Sequence, residues 1–257
     1  RNSTITQKIY LYNELDRIDF DTVVDWHLRH IIVKAAFPVD VNTNKATYEI
    51  QFGNIERNHT ENTSWDVAKF ETCAHKWADI SDNGYGMALM NDCKYGHSVV
   101  NDSTIQLSLL RSGNSSSEEV NDQGEHIMSY SIIPHSGNYI DADIVRKAYA
   151  FNNPMIAREI NNSDGELVQS FSLIKTENKN IIIDTVKKAE DSENIIIRIY
   201  ESQNIKDKIK LSFGIDIKKL YLCDLLENIE KEIEVKDNTA EIDVSNFEII
   251  TLMAEVE

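Results

Sequence analysis

The hydrophobic positions of this chain recur mostly at every second residue. Ile5, Ile9 and Leu11 predict a strand over 5–12, and Ile18, Phe20, Thr22 and Val24 predict a half-buried strand over 17–25. Ile31, Val33, Ala35 and Phe37 alternate next, and Pro38 ends or bends that strand. A turn at 42–45 leads into a strand through Tyr48, Ile50 and Phe52, closed by Gly53 and Asn54. Residues 54–64 read as a polar loop. The stretch 65–79, with Trp65, Phe70, Ala74 and Trp77, reads as a short helix or an irregular packed segment. Tyr85 to Met90 and Ile105 to Leu109 are strand-length runs, joined by a polar loop from Asn91 to Ser103.

Ser112 to Gly124 reads as an exposed loop, and Met128, Tyr130 and Ile132 as a strand ended by Pro134 and His135. Ile140, Ile144, Val145, Ala148 and Tyr149 are spaced for a short helix, stopped by Asn152, Asn153 and Pro154. The run Asn161-Asn162-Ser163-Asp164-Gly165 punctuates the chain. Beyond it, eight apolar bursts, from Phe171–Ile174 to Phe247–Leu252, follow at the spacing of a β-sandwich, roughly 8–12 residues. Within them, Ile181 to Ile183 and Ile195 to Ile197 read as strands buried on both faces, or as aggregation-prone if exposed. The expected fold class is all-β: a large antiparallel β-sandwich over 1–160, then a smaller β domain over 161–257.

Composition narrows the function. The chain has 257 residues, with 26 Lys and Arg against 43 Asp and Glu, a net charge of −17. An acidic surface of this size argues against nucleic acid and anionic membranes as partners. Cys73, Cys93 and Cys223 are few, odd in number and far apart, so neither a disulfide framework nor a zinc knuckle is expected, and a reducing cytoplasm is the implied location. The Asn-x-Ser/Thr triplets at Asn2, Asn58, Asn62, Asn101, Asn114 and Asn161 read as chance in an Asn- and Ser-rich chain. No apolar run approaches the ~20 residues of a membrane span. The first residue is Arg1 rather than Met, which fits a processed protein or an excised fragment.

No catalytic constellation is visible in the residues themselves. In so acidic a chain, carboxylate pairs such as Asp79/Asp82 and Glu118/Glu119 read as solvated loop charges. Gly-x-Ser-x-Gly, His-Glu-x-x-His and phosphate-loop patterns are lacking. His27 and His30 sit in a strand-like pattern that points them to opposite faces, which is no metal pair. Trp26, Trp65 and Trp77, each among apolar neighbours, are expected in the core. What stands out is the Asn91–His97 stretch. Asp92 is an acceptor, Lys94 and Tyr95 are donors, and Gly96 lets backbone approach a ligand closely. It reads either as a polar hairpin end or as a binding loop.

Several longer words resemble glycoside hydrolase family 38, the α-mannosidases, in its cytosolic and bacterial branch. They are Asn62-Thr63-Ser64-Trp65-Asp66, Cys73-Ala74-His75-Lys76-Trp77-Ala78-Asp79, Gly84-Tyr85-Gly86 and Asn91-Asp92-Cys93-Lys94-Tyr95-Gly96-His97. Arg17-Ile18-Asp19-Phe20 and Ala36-Phe37-Pro38-Val39-Asp40-Val41 fit upstream, and Arg198-Ile199-Tyr200-Glu201 and Asp224-Leu225-Leu226-Glu227 fit the closing β region. The resemblance implies a C-terminal fragment of an enzyme that hydrolyses terminal non-reducing α-mannosides with retention. It places no catalytic residue and no metal in this chain; zinc or another divalent metal is expected in the missing catalytic domain. The implied partners are an α-mannoside oligosaccharide and the protein's own N-terminal catalytic domain, with self-association left open. The cleft loop of the secretory branch reads Asp-Arg-x-x-Gly-Gly-Ser. Asp92, Gly96 and Ser98 fit it, whereas Cys93 replaces the Arg and His97 the second Gly. Substrate contacts are therefore expected from Asp92, Lys94, Tyr95 and Gly96. The alternative is a non-catalytic carbohydrate-binding or scaffolding β-module.

Overall fold

A computed structural model of the chain describes residues 2–82, 84–100, 103–113, 122–160, 165 and 170–256. The chain divides into two units, Arg1–Met155 and Ile156–Glu257. The strands of the first are β1 (Thr4–Leu11), β2 (Ile18–Trp26), β3 (Ile32–Pro38), β4 (Lys45–Ile50), β5 (Gly53–Asn58), β6 (Thr72–Cys73), β7 (Trp77–Ser81), β8 (Tyr85–Asn91), β9 (Gly96–Val100), β10 (Thr104–Arg111) and β11 (Gly124–Ser136). Two helices join them, α1 (Ser64–Val67) and α2 (Ile144–Asn152). A seven-stranded sheet runs β1-β2-β11-β8-β7-β4-β5, and a four-stranded one runs β3-β10-β9-β6. Pairing is antiparallel throughout.

The period-two pattern explains the core. Val24 and Trp26 of β2, Tyr48 of β4, Leu89 of β8 and Met128 of β11 meet Ile105 and Leu107 of β10 and Val99 of β9 in one buried cluster. Burying such a set removes enough apolar surface from water to drive assembly of the two layers. α2 buries Ile144, Val145 and Ala148 and lies along β7 and β8. β1 is different: all eight residues are exposed, although it holds a full ladder with β2.

The second unit has β12 (Ile174–Thr176), β13 (Ile181–Lys188), β14 (Ile195–Glu201), β15 (Asp207–Phe213), β16 (Ile217–Cys223), β17 (Ile229–Ile233), β18 (Thr239–Val244) and β19 (Ile249–Val256). A three-stranded sheet, β12-β15-β18, and a five-stranded one, β13-β14-β19-β16-β17, enclose Ile197, Ile199, Ile209, Leu211, Leu220 and Leu252. Ile196 points away from these, into a small cluster with Ala189, Cys223 and Met253. β14 is thus buried on both faces, as its unbroken isoleucines predict.

Some local expectations are corrected. Residues 53–58 form β5, an edge strand, and the chain turns earlier, at Phe52 with φ 54°. The supposed loop from Asn91 to Ser103 contains β9, so only Asp92–Tyr95 remain between β8 and β9. Of 65–79, only residues to Val67 are helical, and Trp77 opens β7. β11 continues through Pro134 to Ser136, because beyond Ile132 the β2 side is open and the strand has one neighbour, β8, where a missing N–H is tolerated. Trp26 and Trp77 are core, but Trp65 is 80% exposed, carried on a one-turn helix with no buried residue. Residues 114–121 of the expected loop, and 161–164 of the expected punctuation, lie outside the described residues.

Candidate functional site

The four-residue turn from Asp92 to Tyr95 stands on a rigid base. Asn91, the last residue of β8, is buried and uses every polar group it has. Its side-chain amide donates to the His75 carbonyl at 2.8 Å, its Oδ1 accepts from Lys94 N–H at 2.6 Å, and its N–H donates to the Lys76 carbonyl at 3.0 Å. Its carbonyl accepts from Asn152 Nδ2, at the end of α2, at 3.1 Å. A buried side chain so fully satisfied fixes where the strand ends and the turn begins.

Asp92 is tied to the neighbouring strand. Its N–H donates to the Ser129 carbonyl at 3.1 Å, and its Oδ2 accepts from Ser129 N–H at 3.0 Å. Cys93 is exposed, and desolvation together with the Asp92 carboxylate pushes its thiol up to about 11. Lys94 is half-buried. Tyr95 is 55% exposed, its ring edge-on to His75 at 5.6 Å, while its carbonyl accepts from Ala74 N–H at 3.0 Å. Gly96 opens β9. A Cβ there would lie 3.1 Å from Glu71 Oε1 and 3.1 Å from Ser108 Cβ, so a side chain at this position would require those neighbours to give by a few tenths of an ångström. Glu71 bonds Ser108 and pairs with Lys34 at 3.2 Å, and its carboxyl is held below its usual range.

The turn thus gathers Asp92, Lys94 and Tyr95 on one short segment, with Gly96 at its foot. Sequence reasoning missed the supports, Asn91 and Ser129. Asn91 carried one signal, an amide at a strand end where a turn begins; Ser129 carried none, because its backbone makes the contact.

Beneath the turn lies a second buried polar group. Glu49 of β4 accepts from Lys76 Nζ at 3.2 Å and from the Lys76 N–H. Burial raises its pKa, and the ammonium opposes that rise. Lys76 Nζ also sits 4.4 Å from the centre of the Tyr149 ring on α2. Asp79, expected as a solvated loop charge, is instead buried in β7 and bonded at 2.6 Å to His135 of β11. Among the described residues, no three His, Cys, Asp or Glu side chains converge as a metal site would require. Nor, among them, is any helix long and apolar enough to cross a membrane.

Two antiparallel β-units, the first carrying an exposed polar turn, define the class of fold: all-β, with paired sheets in each unit. Two solved structures from Enterococcus faecalis share the fold across 98% of this chain. One is described as an alpha-mannosidase, at a TM-score of 0.85 and 18% identity, and the other as a glycosyl hydrolase family 38 protein, at 0.82 and 17%. The chain covers 29% and 30% of them respectively. The family 38 C-terminal domain matches residues 1–119, and the family 38 C-terminal beta sandwich domain matches residues 180–252. The chain belongs to glycosyl hydrolase family 38, as its C-terminal region. It is 35% identical to human alpha-mannosidase 2C1 over 98% of its own length, and 37% identical to alpha-mannosidase G of Dictyostelium discoideum over 97%. It spans 24% and 23% of those two proteins, about a quarter of their length.

Proposed function

We propose that this chain works as the C-terminal part of a cytoplasmic α-mannosidase. The intact enzyme removes terminal non-reducing α-D-mannose with retention, and this region packs on the N-terminal catalytic domain and lines one wall of the sugar cleft. The observation that carries the reading is the ordered match of both C-terminal domains of family 38, at residues 1–119 and 180–252. Relatives named alpha-mannosidase along nearly the whole chain support the substrate. The three unpaired cysteines support a reducing compartment.

In this reading the sugar is met by Asp92, Lys94, Tyr95 and Gly96. Asp92 has one carboxylate oxygen bound to Ser129 N–H and offers the other to a hydroxyl. Lys94 and Tyr95 supply donors, and Gly96 closes the turn without a side chain in the way. The retaining carboxylates, and the zinc or other divalent metal, are assigned to the catalytic domain, as the family resemblance implies. This chain's part is to bind and orient, which suffices to move rate because misplacing a bound sugar is costly.

The test uses the full-length enzyme. Asp92→Asn keeps an oxygen for Ser129 but removes the charge, so it isolates the sugar contact. A lost charged hydrogen bond of about 1.5–3 kcal/mol lowers kcat/KM by roughly 10- to 100-fold. Wild-type kcat/KM in that variant, on an aryl α-mannoside and on an oligomannoside alike, overturns the contact and leaves the turn as a hairpin end.

A further inference from the structure

The first unit has an open flank where the edges of its two sheets stand apart. β5 is the last strand of the large sheet. β6 pairs with β9 at Gly96 and His97 alone, so along Ser98–Val100 β9 has its described strand neighbour, β10, on one side. Between these edges, beside the 58–72 segment, lies a cleft of about 580 Å³. That is the size of small-ligand sites, roughly 300–1,000 Å³. None of the residues Asp92 to Tyr95 lines it.

Its lining combines an acceptor, a donor and an apolar surface. His97 is fully buried, and its Nδ1 stands 3.3 Å from the Tyr95 carbonyl. A carbonyl accepts, so Nδ1 carries the proton and Nε2 is left as a bare acceptor. Burial lowers the ring's pKa to about 4, which keeps it neutral near pH 7. Nε2 is buried with no partner among the described residues, a costly state for a polar atom. Arg57 donates to the Cys73 carbonyl at 3.2 Å and lies 5.1 Å from the centre of the Tyr48 ring, which holds its guanidinium at the lining. Phe70, 72% exposed, and Val99 give the apolar part.

Charge decides the ligand class. Lys69 lies 3.9 Å from Asp66 and Lys34 3.2 Å from Glu71, so those carboxylates are paired. Arg57 and Glu61 are opposite in sign and leave the lining close to neutral. An anion would meet Glu61, Asp66 and Glu71. A metal ion would find no three-ligand cluster among the described residues. A hydroxyl both donates and accepts, and a sugar ring adds an apolar C–H face that stacks on an aromatic ring.

We propose that this cleft is a binding site for a neutral saccharide, a hexose unit or a short oligomer of one. One hydroxyl donates to His97 Nε2, Arg57 donates to a hydroxyl oxygen, and the ring's C–H face lies on Phe70. The assignment rests on the cleft and not on the catalytic reading above, so each can fail alone.

Titrating the isotopically labelled 257-residue chain with D-mannose, D-glucose and methyl α-D-mannoside tests it by nuclear magnetic resonance. The expected result is saturable binding with Kd on the order of 1 mM, with the His97 Nε2 resonance moving as it accepts a hydrogen bond. Phe70→Ala and Arg57→Gln, with melting temperatures checked, are expected to weaken binding by at least about tenfold. No saturable shift up to about 100 mM sugar overturns the site. So does undiminished affinity in both variants, or tighter binding of inorganic phosphate than of any hexose.

Discussion

Asp92 and Ser129 hold each other twice, N–H to carbonyl at 3.1 Å and N–H to carboxylate at 3.0 Å. The side chain that faces the proposed sugar is therefore also a strand clamp. Asp92→Ala leaves Ser129 N–H without its acceptor at an exposed site, and is expected to cost about 1 kcal/mol of stability. Asp92→Asn is expected to recover most of that. Urea midpoints of wild type and both variants check it; equal losses in the two show that charge, not the hydrogen bond, matters.

His97 makes stability fall in acid. Its folded pKa, about 4, lies below the ordinary 6.5. The unfolded chain therefore binds a proton that the folded one refuses, and stability is complete above pH 6.5 and is lost as pH falls towards 4. The difference between the two states corresponds to roughly 3 kcal/mol. Glu49, with its pKa raised, works in the opposite sense and gains stability as it protonates. In His97→Gln the loss between pH 6.5 and 4 is expected to shrink, measured by denaturant unfolding at each pH. An unchanged slope refutes it.

Lys76→Met removes the ammonium from the buried Glu49. The expected cost at pH 7.5 is ~2 kcal/mol, below that of a fully buried pair because Lys76 is partly exposed. Because Glu49 then stays protonated to higher pH, the deficit is expected to be smaller at pH 5. A deficit that grows in acid shows that Glu49 is charged by some other partner.

Gly96→Ala places a methyl 3.1 Å from Glu71 Oε1 and Ser108 Cβ, in a network that also holds Lys34. Displacing it is expected to cost about 1–2 kcal/mol and to lower the melting temperature. A melting temperature at or above wild type shows that Glu71 gives way freely.

The purified 257-residue chain is expected not to hydrolyse an aryl α-mannoside, with or without added zinc. Turnover that resists further purification and survives Asp92→Asn counts against the division of labour proposed here.

Strands with one wet and one dry face were the most legible in the sequence, although the exposed β1 and the doubly buried β14 also read as strands. β2 reads out as Phe20, Thr22, Val24 and Trp26 because Asp21, Val23 and Asp25 face outward. β9 hides for the opposite reason: His97 and Ser98 are both buried, so polarity does not alternate with exposure along Gly96–Val100. β5 hides because an edge strand needs little apolar surface. Trp65 misled because bulk and apolar neighbours say nothing about a one-turn helix that buries none of them. At the turn, the residue types of Asp92, Lys94 and Tyr95 were legible as candidate chemistry. That Ser129 clamps Asp92, and that His97 lines a cleft with residues of β5, depends on pairing between strands far apart in the chain.

The turn is anchored at both of its feet. Asn91 fixes one foot through four hydrogen bonds, and Gly96 and Ala74 fix the other through the β6–β9 ladder and the Tyr95 carbonyl. Cys93 and Lys94, between those feet, contribute no side chain to the core cluster. They form a cassette whose side chains can be exchanged without re-registering a sheet, so the turn tolerates substitution between its feet where the feet themselves do not.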